Sequence, residues 1–170
     1  MSETDVHPHL DLVAFKEAMS RFPSGVTVLM THDEVGDPVG MTASAFVSVS
    51  MTPPLVLESV AKSAQMHAHL MRADRYSVSI LSAGQSPISN HFAGFGPEGF
   101  EPQLDELDGL PTIQDSVARV ACQIIKRVDA GDHTLFIAQV HAVELSEHSE
   151  LSLIYAQRDY HIPTPLSTLD

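Results

Sequence analysis

A chain of 170 residues with 44% hydrophobic side chains has enough apolar material to bury one sizeable core. Its 22 acidic side chains against 9 basic ones give a formal charge of −13, a field that repels phosphate backbones; with no Trp and 6% aromatic residues, a nucleic-acid partner is excluded. No apolar run is long enough for a membrane span, residues 1–12 (MSETDVHPHLDL) lack a secretory-signal pattern, and Cys122 has no second cysteine to pair with, so the reading is a cytoplasmic protein with no membrane partner.

Residues 1–11 are expected to form a flexible tail. In residues 12–22, Phe15, Ala18, Met19 and Phe22 share one helical face, Asp11 is placed to cap it, and Pro23-Ser24-Gly25 ends it. Residues 26–31 (VTVLMT) read as a strand and 32–37 as a loop containing Gly36. Residues 39–50 (VGMTASAFVSVS) follow as a strand of small and β-branched residues, stopped by Thr52-Pro53-Pro54, and 55–60 as a further short strand. Residues 63–73 favour a helix with Ser63 as its cap, 76–81 (YSVSIL) alternate as a strand, and 85–93 form a short helix. Residues 94–115, acidic and rich in Gly and Pro, are expected to be an irregular surface excursion. Residues 117–128 and 133–145 read as long strands joined at Asp129-Ala130-Gly131-Asp132 in a hairpin, and 153–160 add a last short strand. Strands outnumber helices and no βαβα alternation occurs. The expectation is a mainly β, antiparallel barrel with peripheral helices, in a single domain spanning 1–170.

Few local motifs carry chemistry. Gly94-Phe95-Gly96-Pro97-Glu98-Gly99 has the spacing of a dinucleotide-binding turn, but a helix rather than a strand precedes it, Pro97 removes an amide and Glu98 would repel a pyrophosphate. His67 and His69 lie two apart on a helix and so diverge, and His7 and His9 stand in the tail; no metal site is read. No GxSxG elbow is present, and Cys122 sits in an apolar strand as an inert core thiol. The run from Gly40 to Ser50 is different, because small and hydroxylated side chains let a flat ligand approach the backbone. Lys62-Ser63 at a helix start offers a cation, a hydroxyl and free amides to a phosphate. His133, leaving a hairpin turn next to Asp132, can present its ring at a barrel mouth.

Taken together and in order, these segments resemble the flavin reductase-like family, the small reductase components of two-component flavin-dependent monooxygenases. The likeness runs through Phe15…Phe22-Pro23-Ser24-Gly25-Val26-Thr27-Val28, Gly40-Met41-Thr42-Ala43-Ser44-Ala45-Phe46-Val47-Ser48-Val49-Ser50 with Pro53-Pro54-Leu55-Val56, and Lys62-Ser63. It continues through Tyr76-Ser77-Val78-Ser79-Ile80-Leu81, His91-Phe92-Ala93, Gly131-Asp132-His133-Thr134-Leu135-Phe136 and the closing Leu153-Ile154-Tyr155…Arg158-Asp159-Tyr160. The resemblance implies a split β-barrel of FMN-binding type, a homodimer with flavin near its interface, and hydride transfer from NADH, or NADPH, to FMN or FAD. It also implies that reduced flavin diffuses to a partner monooxygenase. Thr42, Ala43, Ser44, Ala45, Ser48, Val49 and Ser50 would line the flavin, Lys62 and Ser63 would lie near its phosphate, and His133 would sit where the nicotinamide docks. The chain has Ser79 where the family often has Asn, Ala64-Gln65 where a second hydroxyl follows, and Arg158-Asp159-Tyr160 for the usual Arg-Gly-Tyr. Two other readings share the barrel: a pyridoxine-phosphate oxidase-like enzyme, for which no Arg/Lys cluster is evident, and a non-catalytic flavin- or haem-binding module, with His67, His69 or His91 as haem ligand.

Overall fold

The computed structural model describes residues 10–148 and 151–166. Helix α1 (Leu12–Ser20) starts where the Asp11 carboxylate accepts the amides of Val13 (2.8 Å) and Ala14 (3.2 Å), so Asp11 is a helix cap and not part of a tail. Residues 1–9, with His7 and His9, lie outside the described residues. The strands and helices that follow are β1 (Ser24–Gly25), β2 (Thr27–His32), β3 (Pro38–Ala43), β4 (Phe46–Met51), β5 (Pro54–Ala61), α2 (Gln65–Arg72) and β6 (Arg75–Ile80). Then come α3 (Ser86–Phe92), β7 (Leu104–Leu107), β8 (Leu110–Ile113), β9 (Ala118–Ala130), β10 (His133–Leu145), β11 (Ile154–Ala156) and β12 (Asp159–His161).

Seven strands form one antiparallel sheet in the order β3-β2-β6-β9-β10-β5-β4. Leu29 of β2 and Val56 and Val60 of β5 sit in one buried cluster although three strands separate theirs in the sheet. The sheet therefore curls until its two ends share a core, and Met41 of β3 and Phe46 of β4 pack on that same cluster. This mainly antiparallel β architecture agrees with a split barrel. Val26, Val28, Met30, Leu81, Ile113 and Leu153 form a second cluster on the opposite face of β2, on which Ile88 and Phe92 of α3 and Tyr160 pack.

Several boundaries differ from the sequence reading, each for a local reason. The expected strand 39–50 is two strands, because Ser44 and Ala45 leave the ladder between β3 and β4. Helix α2 begins two residues later than expected and has Ala64 at its cap with no side-chain hydrogen bond, so Ser63 does not cap it. The 94–115 excursion contains a hairpin, β7 with β8, whose second strand is wholly buried. The closing segment is two strands, not one: β11 pairs with β1 and turns back into β12. Gln157 (φ 53°) and Arg158 (φ 65°) make that turn in the left-handed region that two-residue hairpin turns require. Strands β9 and β10 meet across Gly131 (φ 60°) and Asp132, as the hairpin signal predicts.

Candidate functional site

Where the C-terminal end of β3 meets α3 and the β11–β12 hairpin, the surface opens into a cavity of ≈ 290 Å³. One wall is small: Val26, Thr42, Ala43, Ser44 and Ala93. The facing wall is polar and aromatic, with Asn90, Phe95, Tyr155, Arg158 and Tyr160. Hydrogen bonds tie the two together. Thr42 Oγ1 donates to the Ser89 carbonyl (2.6 Å), and the Tyr160 hydroxyl reaches both Ser89 Oγ (2.8 Å) and Asn90 Oδ1 (2.9 Å). Behind them, a Cβ on Gly40 would fall 2.6 Å from Phe92, so only glycine lets α3 approach β3 this closely. The hairpin is held from the other side by Gln157 N donating to the Ser20 carbonyl (2.5 Å) and by the Arg158–Glu17 ion pair (3.1 Å).

A second group of expected site residues gathers at another corner. Ala61, at the end of β5, pairs with His133, at the start of β10, so Lys62, Ser63 and His133 are brought together. His133 Nδ1 lies 2.7 Å from Asp132 Oδ1, and that hydrogen bond holds the Asp132 carboxyl below its usual range. Lys62 Nζ donates to the Gly131 carbonyl (2.7 Å) and pairs with Asp129 (2.5 Å). Strand β4 runs between the two places: Ala45 leads out of the cavity wall, and Phe46 pairs with Glu58, three residues before Ala61. Ser48 and Ser50 of this edge strand flank a bulge at Val49.

Thr42, Ala43 and Ser44 thus line the cavity; Ala45, Ser48, Val49, Ser50, Lys62, Ser63 and His133 do not. The sequence reading assigned no role to Asn90, Phe95, Tyr155, Arg158 or Tyr160. Tyr155, Arg158 and Tyr160 stood in the closing segment that carries the resemblance and Phe95 in the glycine-rich segment set aside, while Asn90 had only its neighbours His91-Phe92-Ala93 as a signal. Of the histidines weighed as haem ligands, none lines the cavity: His67 Nε2 meets Thr134 Oγ1 (2.9 Å), and His91 packs between Phe92 and Phe100. His69 lines a separate shallow cleft with Asp33 and Arg72. Cys122 is buried in the core as expected, and burial pushes its thiol up to about 12. A wall of small side chains opposite hydroxyl, amide and guanidinium groups suits a flat, heteroatom-edged ring such as a flavin.

Comparison with known proteins agrees. Residues 19–164 match the flavin reductase like domain. The chain belongs to the flavin reductase-like family. It is 36% identical to the NADH-dependent flavin reductase StyB of Pseudomonas fluorescens, covering 96% of this chain and 97% of that one. It is 38% identical to the reductase component of 4-hydroxyphenylacetate 3-monooxygenase from Thermus thermophilus, covering 86% of this chain and 93% of the relative. Among solved structures, flavin reductase PheA2 superposes with a TM-score of 0.87 at 40% identity, over 92% of this chain and 100% of that one.

Proposed function

We propose that this chain is an NADH-dependent flavin reductase that passes a hydride from the dinucleotide to FMN or FAD and releases reduced flavin to a partner monooxygenase. The observation that carries the reading is the cavity wall of Thr42, Ala43 and Ser44 facing Asn90 and Tyr160. A bound flavin supplies the hydride-accepting ring, so the protein contributes position and electrostatics. The small wall lets that ring lie against backbone, and amides near Ala43 and Val49 offset negative charge at its edge. Thr42 does not spend its hydroxyl proton on the ligand; it fixes the wall to α3. Lys62 and Ser63 take the phosphate, Lys62 exchanging its exposed partner Asp129 for it. His133, steadied by Asp132, orients the nicotinamide. The relatives named as NADH-dependent flavin reductases favour NADH over NADPH.

A second copy of the chain completes the picture. Helix α1 buries no residue and leaves Phe15 and Met19 exposed, Phe22 is exposed just beyond its end, and edge strand β4 exposes Val47, Val49 and Met51. Apolar edges of this kind are covered in stable proteins, and a homodimer covers both. Among the described residues no helix is long and apolar enough to cross a membrane, and we place the enzyme in the cytoplasm.

The test is steady-state oxidation of NADH and NADPH with FMN, FAD and riboflavin, together with flavin titration and sedimentation. Saturable flavin binding with faster NADH oxidation is expected from a dimer. No acceleration with any flavin would overturn the proposal, and a requirement for stoichiometric monooxygenase would overturn release by diffusion. His133→Ala should slow hydride transfer about ten- to a hundredfold in stopped flow while flavin affinity holds; an unchanged rate removes His133 from the site.

A further inference from the structure

The glycine-rich segment that fails as a phosphate loop has another job. It follows α3, and Gly94 (φ 82°) turns the chain there. Gly94 N donates to the His91 carbonyl (3.0 Å) and Phe95 N to the Asn90 carbonyl (2.9 Å), the paired bonds of a Schellman ending. In that motif the residue in Phe95's place usually packs its side chain on the residue three before the cap. Here that residue is Asn90, whose amide is engaged with Tyr160. Phe95 is left 83% exposed.

Its backbone nevertheless has little freedom. A Cβ on Gly96 would sit 2.7 Å from the Cα of His91, so the loop lies flat on the helix end, with glycine on both sides of Phe95. Neighbouring aromatic rings have partners: Phe92 packs beneath Gly40 and Phe100 meets His91 at 5.6 Å. Of these three residues only Phe95 borders the cavity, which Thr42 and Ser44 also line. An exposed ring on a fixed mount beside a flat-walled cavity is arranged to cover a planar ligand, because offset stacking rewards a ring held at the right place in advance.

We propose that Phe95 is a positioning residue that stacks on a heteroaromatic ring bound beside Thr42–Ser44, either the flavin or the nicotinamide of the dinucleotide. This rests on the flavin reductase reading above. The experiment compares the wild-type enzyme with Phe95→Ala, Phe95→Leu and Phe95→Tyr, measuring FMN and FAD dissociation constants, KM for NADH, and melting temperature. Phe95→Ala should weaken one ring's binding about five- to tenfold, Tyr should restore it and Leu should not, with the melting temperature unmoved. A raised flavin dissociation constant identifies the flavin as the stacked ring; a raised KM for NADH at constant flavin affinity identifies the nicotinamide. Gly96→Ala, which keeps the ring but lifts its mount off His91, should weaken the same ligand. If Phe95→Ala changes neither constant, if Leu serves as well as Tyr, or if the variant instead loses dimer or melts early, the stacking role is overturned. A wild-type chain that neither binds flavin nor oxidises NADH overturns the functional reading and this inference with it; an active wild type with an indifferent Phe95→Ala overturns this inference alone.

Discussion

Polar side chains lie both around the cavity and inside the curled sheet, and the two sets are treated in opposite ways. At the cavity, Thr42, Ser89, Asn90 and Tyr160 bond to one another across the junction of β3, α3 and β12. Inside the sheet, Glu58 on β5 is fully buried among Val56, Val60, Tyr76 and Phe136, and neither of its carboxylate oxygens has a partner. The Tyr76 hydroxyl is equally unpaired. A buried polar atom left unpaired costs about 1–3 kcal/mol, so the cost in this fold is concentrated in the interior, away from the cavity. The cavity is stiffened by its hydrogen bonds; the interior is where the molecule can be loosened.

The largest effect should come from Glu58. Burial pushes its carboxyl from 4.5 up to about 8. In the folded chain it therefore keeps its proton at neutral pH, whereas the unfolded chain releases it near 4.5. The stabilisation is full below pH 4.5 and is lost as pH rises to about 8, at a slope of about 1.4 kcal/mol per pH unit. Tyr76 and Cys122, the titratable groups facing Glu58 from β6 and β9, are themselves raised by burial and stay neutral over that range. Denaturant melts from pH 5 to 9 should show the wild type falling against Glu58→Gln by several kcal/mol; parallel curves would show that the acid does not titrate in the interior.

The contrast sharpens with one chemical change made twice. Tyr160→Phe removes a hydroxyl that has partners and should cost about 1 kcal/mol, while Tyr76→Phe removes one that has none and should be neutral or stabilising by about the same amount. Equal losses in the two variants, measured by urea unfolding, would mean that the interior hydroxyl is satisfied after all. Smallest should be Glu17→Gln, which removes the exposed partner of Arg158 at the rim: at most a few tenths of a kcal/mol, vanishing in high salt. A larger loss would show that the rim ion pair helps to hold the hairpin.

These regions were legible in the sequence to different degrees. The small-residue wall was readable because Thr42, Ala43 and Ser44 are neighbours and their composition is local. The polar wall was not, since Ser89 and Tyr160 meet across 71 positions and no pattern near either one announces the other. The β7–β8 hairpin escaped because acidic residues dominate LDELDG, hiding a register in which Leu104 meets Ile113. Glu58 went unremarked in the reading of 55–60 as a short strand, although in LVLESV it shares the parity of Val56 and Val60 and a two-residue period turns it inward. Asp11 as cap, the β9–β10 turn and buried Cys122 came through because each depends on chemistry within a few residues.

The pairing of β1 with β11 has a consequence for how the cavity is assembled. The seven-stranded sheet is complete with β10, and Thr42, Ala43, Ser44, Lys62 and His133 all lie on it or on its connections. Tyr155, Arg158 and Tyr160 follow the last of its strands in the chain, so until β11 docks on β1 the cavity lacks these lining residues. A state with the sheet formed and the β11–β12 hairpin undocked therefore holds only part of the cavity lining, and docking of that hairpin on β1 is what completes it.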